Sequence, residues 1–503
     1  MHSAGRTSVS TQQRSPRDGA VNVPFLIIGA GPTGLGAAWR LQQRGIHDWK
    51  LLEAGFVPGG LARSVVDEHG FTWDLGGHVQ FSHYEMFDQL MDDLLGVDGW
   101  LYHDRESWVW IRDRFVPYPF QLNLHRLPGP EIATCLHGLE HAAASASQSD
   151  VLPVNFGEWI TRTFGDGIAE LFMRPYNGKV WARDPELMDW RWIGDRVAVA
   201  DVARVRENLR LHRDDVSWGP NNRFRFPRRG GTGAVWHALA NQLTQRAPAH
   251  ESPLMFGASV KHVDTTARRV ALADGREIGY DTLISTMPLD RLIATSDLAR
   301  DLRTAARDLE YSSTHVVGVG LHGNAPEALA RKCWMYFPES NCPFYRVTHF
   351  SHYSPNNIPD PSTQWSLMAE VSESVHRPVN SRTIAADVVR GLVATRLIES
   401  EAQVHHVWHM RLEHGYPVPS LHRDRGLTGI ESTLAARGVF SRGRFGAWKY
   451  EVSNQDHSFA QGVEAVDARL DGAEEVTLKR PEVVNAWRPR PAVPAPVSTA
   501  GRR

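Results

Sequence analysis

Gly29, Gly31 and Gly34, in FLIIGAGPTGLGAAWRL, stand in a GxGxxG pattern between an apolar run and a stretch of helical composition. That spacing suits a dinucleotide: the first glycine makes a tight turn, the second lets backbone approach a pyrophosphate, and the helix N-terminus supplies amides and positive dipole. Glu53, twenty-four residues after Gly29 and at the end of the apolar run WKLLEA, is placed to accept the ribose hydroxyls of an adenosine. The run Gly59-Gly60-Leu61-Ala62-Arg63 follows, a GGxxR pattern of FAD-dependent enzymes in which the chain passes the flavin pyrophosphate and ribityl chain. FAD is therefore the expected cofactor, with Gly60 and Arg63 beside it. Two other patterns carry less. His405 and His409 have HxxxH spacing, but QVHHVWHMRL alternates like a strand, so no metal site is expected. RFRFPRRGG holds four arginines in seven residues, and that charge is expected to be structural or to lie near the cofactor's pyrophosphate.

The elements that must position these residues follow from composition and periodicity. Val23 to Ile28, the glycine turn and Leu35 to Gln43 read as strand, turn and helix. Residues 156 to 215 carry helical spacing with Trp and Leu on one face, whereas HVVGVGLHG and TQWSLMAEVSES alternate as antiparallel strands. The expected class is α/β: an FAD-binding Rossmann-like domain with an inserted helical domain and an antiparallel β-sheet substrate domain. The FAD-binding part is expected from 21–100, 222–300 and 440–475, the helical domain from 123–221, and the sheet domain from 101–122 and 301–439. Residues 1–20 and 487–503, rich in Ser, Gln, Arg, Pro and Ala, are expected to be disordered tails. With 503 residues, 42% of them hydrophobic, and a formal net charge of −2, the chain gives no electrostatic reason to bind nucleic acid or a membrane surface. Cys135, Cys333 and Cys342 form no CxxC pair, and no apolar run approaches bilayer length, so a cytoplasmic protein is expected.

Eight further segments carry a resemblance. They are WDLGGHVQFSHYEMFD, VPYPFQ, FMRPYNGKVWA, WGPNNRFRFPRRGGTG, YSSTHVVGVG, CWMYFPESNCPFYR, EHGYPVP and SRGRFGAWKYEVSNQDHSF. In this order the chain resembles the eukaryotic-type UDP-galactopyranose mutases across nearly all of residues 23 to 475. The resemblance implies interconversion of pyranose and furanose forms of a nucleotide-linked galactose through a covalent adduct of reduced FAD, without net redox change, with NADPH as reductant. It implies a diphosphate clamp of Arg196 and Arg346 with Tyr353, Tyr416 and Tyr450. His78, after Gly76 and Gly77, would sit on a mobile loop at the flavin's reactive edge. Arg444, Asn454 and Gln455 would form a second FAD-binding segment, and Arg105 and Ser107 would meet the nicotinamide. Tyr118, Phe120, Gln121, Phe172, Tyr176, Asn177 and Trp181 would receive the nucleotide, while Asn221, Trp334 and Tyr336 would face the sugar or the active-site loops. A homo-oligomer, dimer or tetramer, is also implied.

The sequence departs from the fungal pattern at Gly178, where a phenylalanine usually follows the Tyr-Asn pair, at Gln80 and at Leu122. A missing ring beside the base would open room for a purine. A GDP-linked galactose, such as GDP-L-galactose, is therefore the alternative to UDP-galactose. Two other classes share the glycine motifs: an FAD-dependent amine or protoporphyrinogen-type oxidoreductase, and a flavoprotein that senses redox state without catalysis.

Overall fold

The computed structural model of the chain describes residues 21–146, 151–216, 222–245 and 252–486. The expected tails and Asn221 lie outside the described residues. Val21–Ile28 forms a strand because six of its eight side chains are buried or partly buried between two layers of helices. It pairs in parallel with Trp49–Leu52 on one side and Glu277–Ser285 on the other. Seven strands make up this sheet, in the order Val260–Asp264, Arg269–Leu272, Glu277–Ser285, Val21–Ile28, Trp49–Leu52, Leu254–Met255, with Val439–Ser441 pairing Glu277–Ser285 off that path. Helices Pro32–Gln43, Gly233–Thr244 and Gln455–Asp471 bury Leu35, Leu41, Trp236, Leu239, Phe459 and Val466 against one face.

A second seven-stranded sheet carries the other half of the site. Its order is Val404–Pro417, Tyr311–His322, Gln364–Glu373, Arg346–His349, Trp334–Tyr336, Ser107–Ile111, Arg114–Pro117. Every pair is antiparallel except Trp334–Tyr336 with Ser107–Ile111, which run parallel. The alternating glycines of VVGVGL have a steric reason: a Cβ at Gly318 would stand 2.5 Å from Trp73 Cδ2, and one at Gly320 would stand 2.9 Å from Phe71 Cζ. Two aromatic rings thus lie flat on the sheet, and they fix the strand Thr72–Asp74 that leads into Gly76, Gly77 and His78. Asp74, completely buried, holds the other side through Ser64 Oγ (2.5 Å) and Thr232 Oγ1 (2.6 Å). Burial pushes its carboxyl up to about 7 against those hydrogen bonds.

A helical unit of Gly129–Ala146, Phe156–Ile168, Arg174–Trp181 and Val202–Leu211 shares its core with Val109, Ile111 and Val116 on the edge strands of the second sheet. Phe156, Ile160, Phe164 and Ile168 recur every fourth residue, so they form one apolar stripe that is wholly buried. Asn155 caps that helix, its Oδ1 accepting the Glu158 amide at 2.8 Å. One expectation is corrected. Helix Arg423–Ala436, placed by sequence with the second sheet, packs Leu427, Ile430 and Leu434 with Val439 and Leu298 on the first sheet, because its apolar face continues that core. His405 and His409 lie on a strand and do not converge: His409 Nε2 meets His315 Nδ1 at 2.9 Å, and His405 Nδ1 meets His322 Nε2 at 3.3 Å.

Candidate active site

Two cavities meet between the sheets. The first is a cleft of about 790 Å³ along the C-terminal ends of the parallel strands, lined by Gly29, Gly31, Glu53, Gly60, Gly76, Gly77, His78, Arg444, Asn454 and Gln455. Two helices open onto it without a side-chain cap: Pro32–Gln43 behind Gly31, and Gln455–Asp471 behind Asn454. Uncapped N-termini leave backbone amides for an anion. Gly31 and Gly60 face each other so closely that a Cβ on Gly60 would lie 3.2 Å from Gly31 Cα, leaving a cradle of bare backbone. Glu53 is fixed by the amides of Ala30 and Gly55, each at 2.8 Å. This donor set fits the pyrophosphate, ribose and ring system of FAD. Gly34 and Arg63 stand behind the lining. A Cβ at Gly34 would strike Gly29 O, and Arg63 Nη1 donates to Gly60 O at 3.1 Å, so both shape the glycine turns from behind.

The second cavity, about 280 Å³, is lined by the expected residues Arg105, Tyr118, Gln121, Phe172, Tyr176, Asn177, Trp181, Trp334 and Tyr336. A π-helical turn, Ala169–Met173, precedes Arg174–Trp181 and rephases the chain so that Phe172 and Tyr176 stack at 5.4 Å beside Asn177 and Trp181. Burial pushes the phenols of Tyr118, Tyr176, Tyr336 and Tyr416 up, so all four keep their protons. Phe120 supports Phe172 from behind at 4.8 Å, and Ser107 is buried beneath Tyr118, whose amide its carbonyl accepts at 3.0 Å. Tyr353 is also off the wall: it is fully buried among Phe224, Phe226 and Phe350, since its short helix faces that core. Gly178 turns away as well. Tyr176, Asn177, Val180 and Trp181 share the cavity face of their helix, Gly178 falls on the opposite one, and a Cβ built there meets nothing within 4 Å. The absent ring therefore opens no space for a base.

The residues common to both walls are Phe81, Arg196, Trp334, Tyr336, Arg346, Tyr416, Tyr450 and Asn454. Arg196 Nη2 donates to Glu451 O at 2.5 Å, and its guanidinium lies 5.3 Å from the Tyr450 ring. Arg346 is held by Glu370 through Nη2 at 2.7 and 2.8 Å. The Nε of each arginine is buried with no hydrogen-bond partner among the described residues. Two permanent cations with spare donors thus share one junction. His78 is half-buried on the wall of the first cavity, and desolvation lowers its pKa to about 4, so the ring is neutral.

Sequence reasoning missed Glu370, Tyr345, Phe81, His83 and Asn485. Glu370 was signalled by an acid in the middle of the otherwise buried strand QWSLMAEVSE. His83 contacts Asp456 Oδ2 through both its amide (2.8 Å) and Nδ1 (2.7 Å). Asn485 Nδ2 donates to Glu451 O at 3.0 Å, sharing the carbonyl with Arg196.

The family described as "Flavin containing amine oxidoreductase" matches residues 32–428. A solved structure titled "Crystal structure of reduced UDP-Galactopyranose mutase" is 47% identical, covering 93% of this chain and 98% of that one with a TM-score of 0.87. The chain belongs to the UDP-galactopyranose mutase family. Within the wider flavin-containing family the fold alone is shared with more distant proteins. Putrescine oxidase bound to putrescine is 14% identical (90% of this chain, 99% of that chain, TM-score 0.59). A CLA-producing fatty acid isomerase from P. acnes is likewise 14% identical (89% and 99%, TM-score 0.59). This mutase-family chain is an isomerase built on an oxidoreductase fold. Among the described residues no helix is long and apolar enough to cross a membrane.

Proposed function

We propose that this chain interconverts UDP-galactopyranose and UDP-galactofuranose where the two cavities meet, with FAD bound in its reduced form and no net redox change. The observation that carries this reading is the placement of Arg196 and Arg346 in the wall common to a dinucleotide cleft and an aromatic cavity. Guanidinium forks match phosphate oxygens and keep their charge at working pH. They are suited to a diphosphate that gathers charge as it leaves the anomeric carbon. An amine oxidase has no use for two cations at that point.

Reduced FAD, when bound, supplies the nucleophilic ring nitrogen for the anomeric carbon. The remaining work falls to this chain's side chains. Arg196 and Arg346 hold the diphosphate, and Tyr416 and Tyr450 donate phenolic hydrogen bonds to it. Tyr118, Gln121, Phe172, Tyr176, Asn177 and Trp181 enclose the uridine, while Trp334 and Tyr336 face the galactose. Trp334 Nε1 already donates to Tyr336 Oη at 2.6 Å, which fixes the pair relative to each other. The neutral His78 packs at the cofactor edge, and Arg444, Asn454 and Gln455 close the cleft. NADPH is the reductant, entering past Arg105 with Ser107 behind it. The three cysteines are free and buried, in keeping with a reducing cytoplasm.

The reading is tested by anaerobic incubation of holoenzyme, oxidised or dithionite-reduced, with UDP-galactopyranose and with GDP-galactose in separate tubes. The expected product is UDP-galactofuranose from the reduced enzyme alone. Furanose from the GDP sugar only would change the base, and no furanose from either would remove the mutase assignment.

A further inference from the structure

The last described helix, Pro481–Asn485, reaches the wall of the second cavity with its final residue. Three contacts bring it there. Arg442 Nη2 donates to Glu475 Oε2 at 2.6 Å, Thr477 Oγ1 donates to Glu464 Oε1 at 2.8 Å, and Val484 is buried with Leu478 and Val452. The Asn485 side chain is then oriented by its own hydrogen bonds. Its Nδ2 donates to Glu451 O at 3.0 Å and to Pro481 O at 2.9 Å. A carboxamide nitrogen has two hydrogens, and here both face carbonyls, which only accept, so the nitrogen and oxygen of this amide cannot be exchanged. Oδ1 is left as a fixed acceptor, with no hydrogen-bond partner among the described residues.

The place of that acceptor narrows what it can pair with. Glu451 O also accepts Arg196 Nη2 at 2.5 Å, so Asn485 stands one carbonyl away from an arginine of the proposed diphosphate clamp. Ionised diphosphate oxygens are acceptors and offer Oδ1 nothing. What it can take is a donor carried beside the diphosphate, a hydroxyl of one of the two sugars. The galactose must lie at the junction, within reach of the cofactor cleft, whereas Asn485 lines the second cavity and not that cleft. We propose that Asn485 is a substrate-binding residue whose Oδ1 accepts a ribose hydroxyl of the nucleotide, so that the C-terminal helix supplies part of the nucleotide site. A fixed acceptor at this point selects a ribonucleotide over a deoxyribonucleotide, a choice that stacking rings and phosphate-binding guanidinium groups do not make.

The inference rests on the proposed mutase site, and the test separates the two. Dithionite-reduced holoenzyme, wild type and Asn485→Ala, is titrated with UDP, 2′-deoxy-UDP and 3′-deoxy-UDP, and with inorganic pyrophosphate as a competitor of UDP. Wild type is expected to bind one of the two deoxy analogues at least about fivefold more weakly than UDP, the size of one net hydrogen bond. Asn485→Ala is expected to bind UDP about fivefold more weakly than wild type does. It should also bind UDP and that analogue within about twofold of each other, because deleting either partner removes the same bond. Pyrophosphate, which has no ribose, should bind both proteins within about twofold. The proposal is overturned if wild type binds both deoxy analogues as tightly as UDP, or if the variant keeps the wild-type preference for UDP over them. Unchanged UDP affinity in the variant also overturns it, even with a raised KM for UDP-galactopyranose, since the hydroxyl would then belong to galactose. An equal loss of pyrophosphate and UDP affinity would leave Asn485 as a support for Arg196 and remove the ribose contact. Absence of UDP binding to wild type would instead remove the mutase reading.

Discussion

Replacing each clamp arginine by alanine should give the same catalytic loss but very different losses of stability. Both changes delete a cation from the junction, so turnover of the reduced enzyme should fall at least tenfold, about 1.4 kcal/mol or more of transition-state stabilisation. Arg196 leaves little behind. Its fixed bond is to Glu451 O, which keeps Asn485 Nδ2 at 3.0 Å, so Arg196→Ala should cost less than about 1 kcal/mol of folding stability. Arg346 leaves Glu370 buried at 1% exposure with only the Tyr345 hydroxyl and the Gly77 amide as partners. Removing one member of a buried pair costs about 3–5 kcal/mol. The loss should also depend on pH. Burial pushes Glu370 up, but the Arg346 charge and the hydrogen bonds outweigh it and hold its pKa below the ordinary value. In wild type the group therefore adds stability above its unfolded pKa, and this stability is lost as pH falls. Without Arg346, burial wins and the folded pKa rises above the unfolded one. The variant's deficit should then widen as pH rises from about 5 to about 7.5. Urea unfolding of holoenzyme at both pH values, followed by tryptophan fluorescence, measures this beside steady-state turnover. Equal stability of the two variants, or turnover of Arg346→Ala within about threefold of wild type, would refute the reasoning.

Three further changes follow from the same geometry. Gly31→Val should fold but purify without yellow colour, because a Cβ at Gly31 has no protein atom nearer than 3.9 Å and so projects into the cofactor cradle; visible absorbance checks this. His78→Ala should retain FAD while slowing reductive activation or turnover. Because burial lowers the wild-type His78 pKa to about 4, wild type should also lose more stability than the variant as pH falls from about 6.5 toward about 4, where the unfolded chain alone binds that proton. Gly178→Phe should leave the KM for UDP-galactopyranose within about twofold, since the residue faces away from the cavity; a large change would return position 178 to the base pocket.

The cofactor half of the site was legible because backbone chemistry writes itself into residue type. Bare glycines at 29, 31 and 60 and an acid at 53 are what a phosphate-binding turn and a ribose demand, wherever the rest of the chain goes. The junction was legible only through resemblance. Arg196 and Arg346 are two among 49 arginines, and nothing local distinguishes them from surface residues until two sheets and a helical unit bring them together. Glu370 was illegible for a related reason: its partners, Gly77 and Arg346, come from different elements, and an acid inside a strand reads as an exception until the strand has a neighbour. Gly178 and Tyr353 went the other way. Each sits next to a cavity element in sequence, but helix phase turns Gly178 outward and core packing keeps Tyr353 behind the wall.

The central claim, isomerisation of a nucleotide sugar without net electron transfer, is tested most directly by stoichiometry. Holoenzyme is reduced anaerobically with just enough dithionite to bleach its flavin, mixed with a large excess of UDP-galactopyranose, and followed by flavin absorbance while the products are separated. The account predicts many equivalents of UDP-galactofuranose per enzyme with the flavin still bleached at the end. Return of one oxidised flavin for each product molecule, or no furanose at all, would contradict it and leave an oxidoreductase on the same fold.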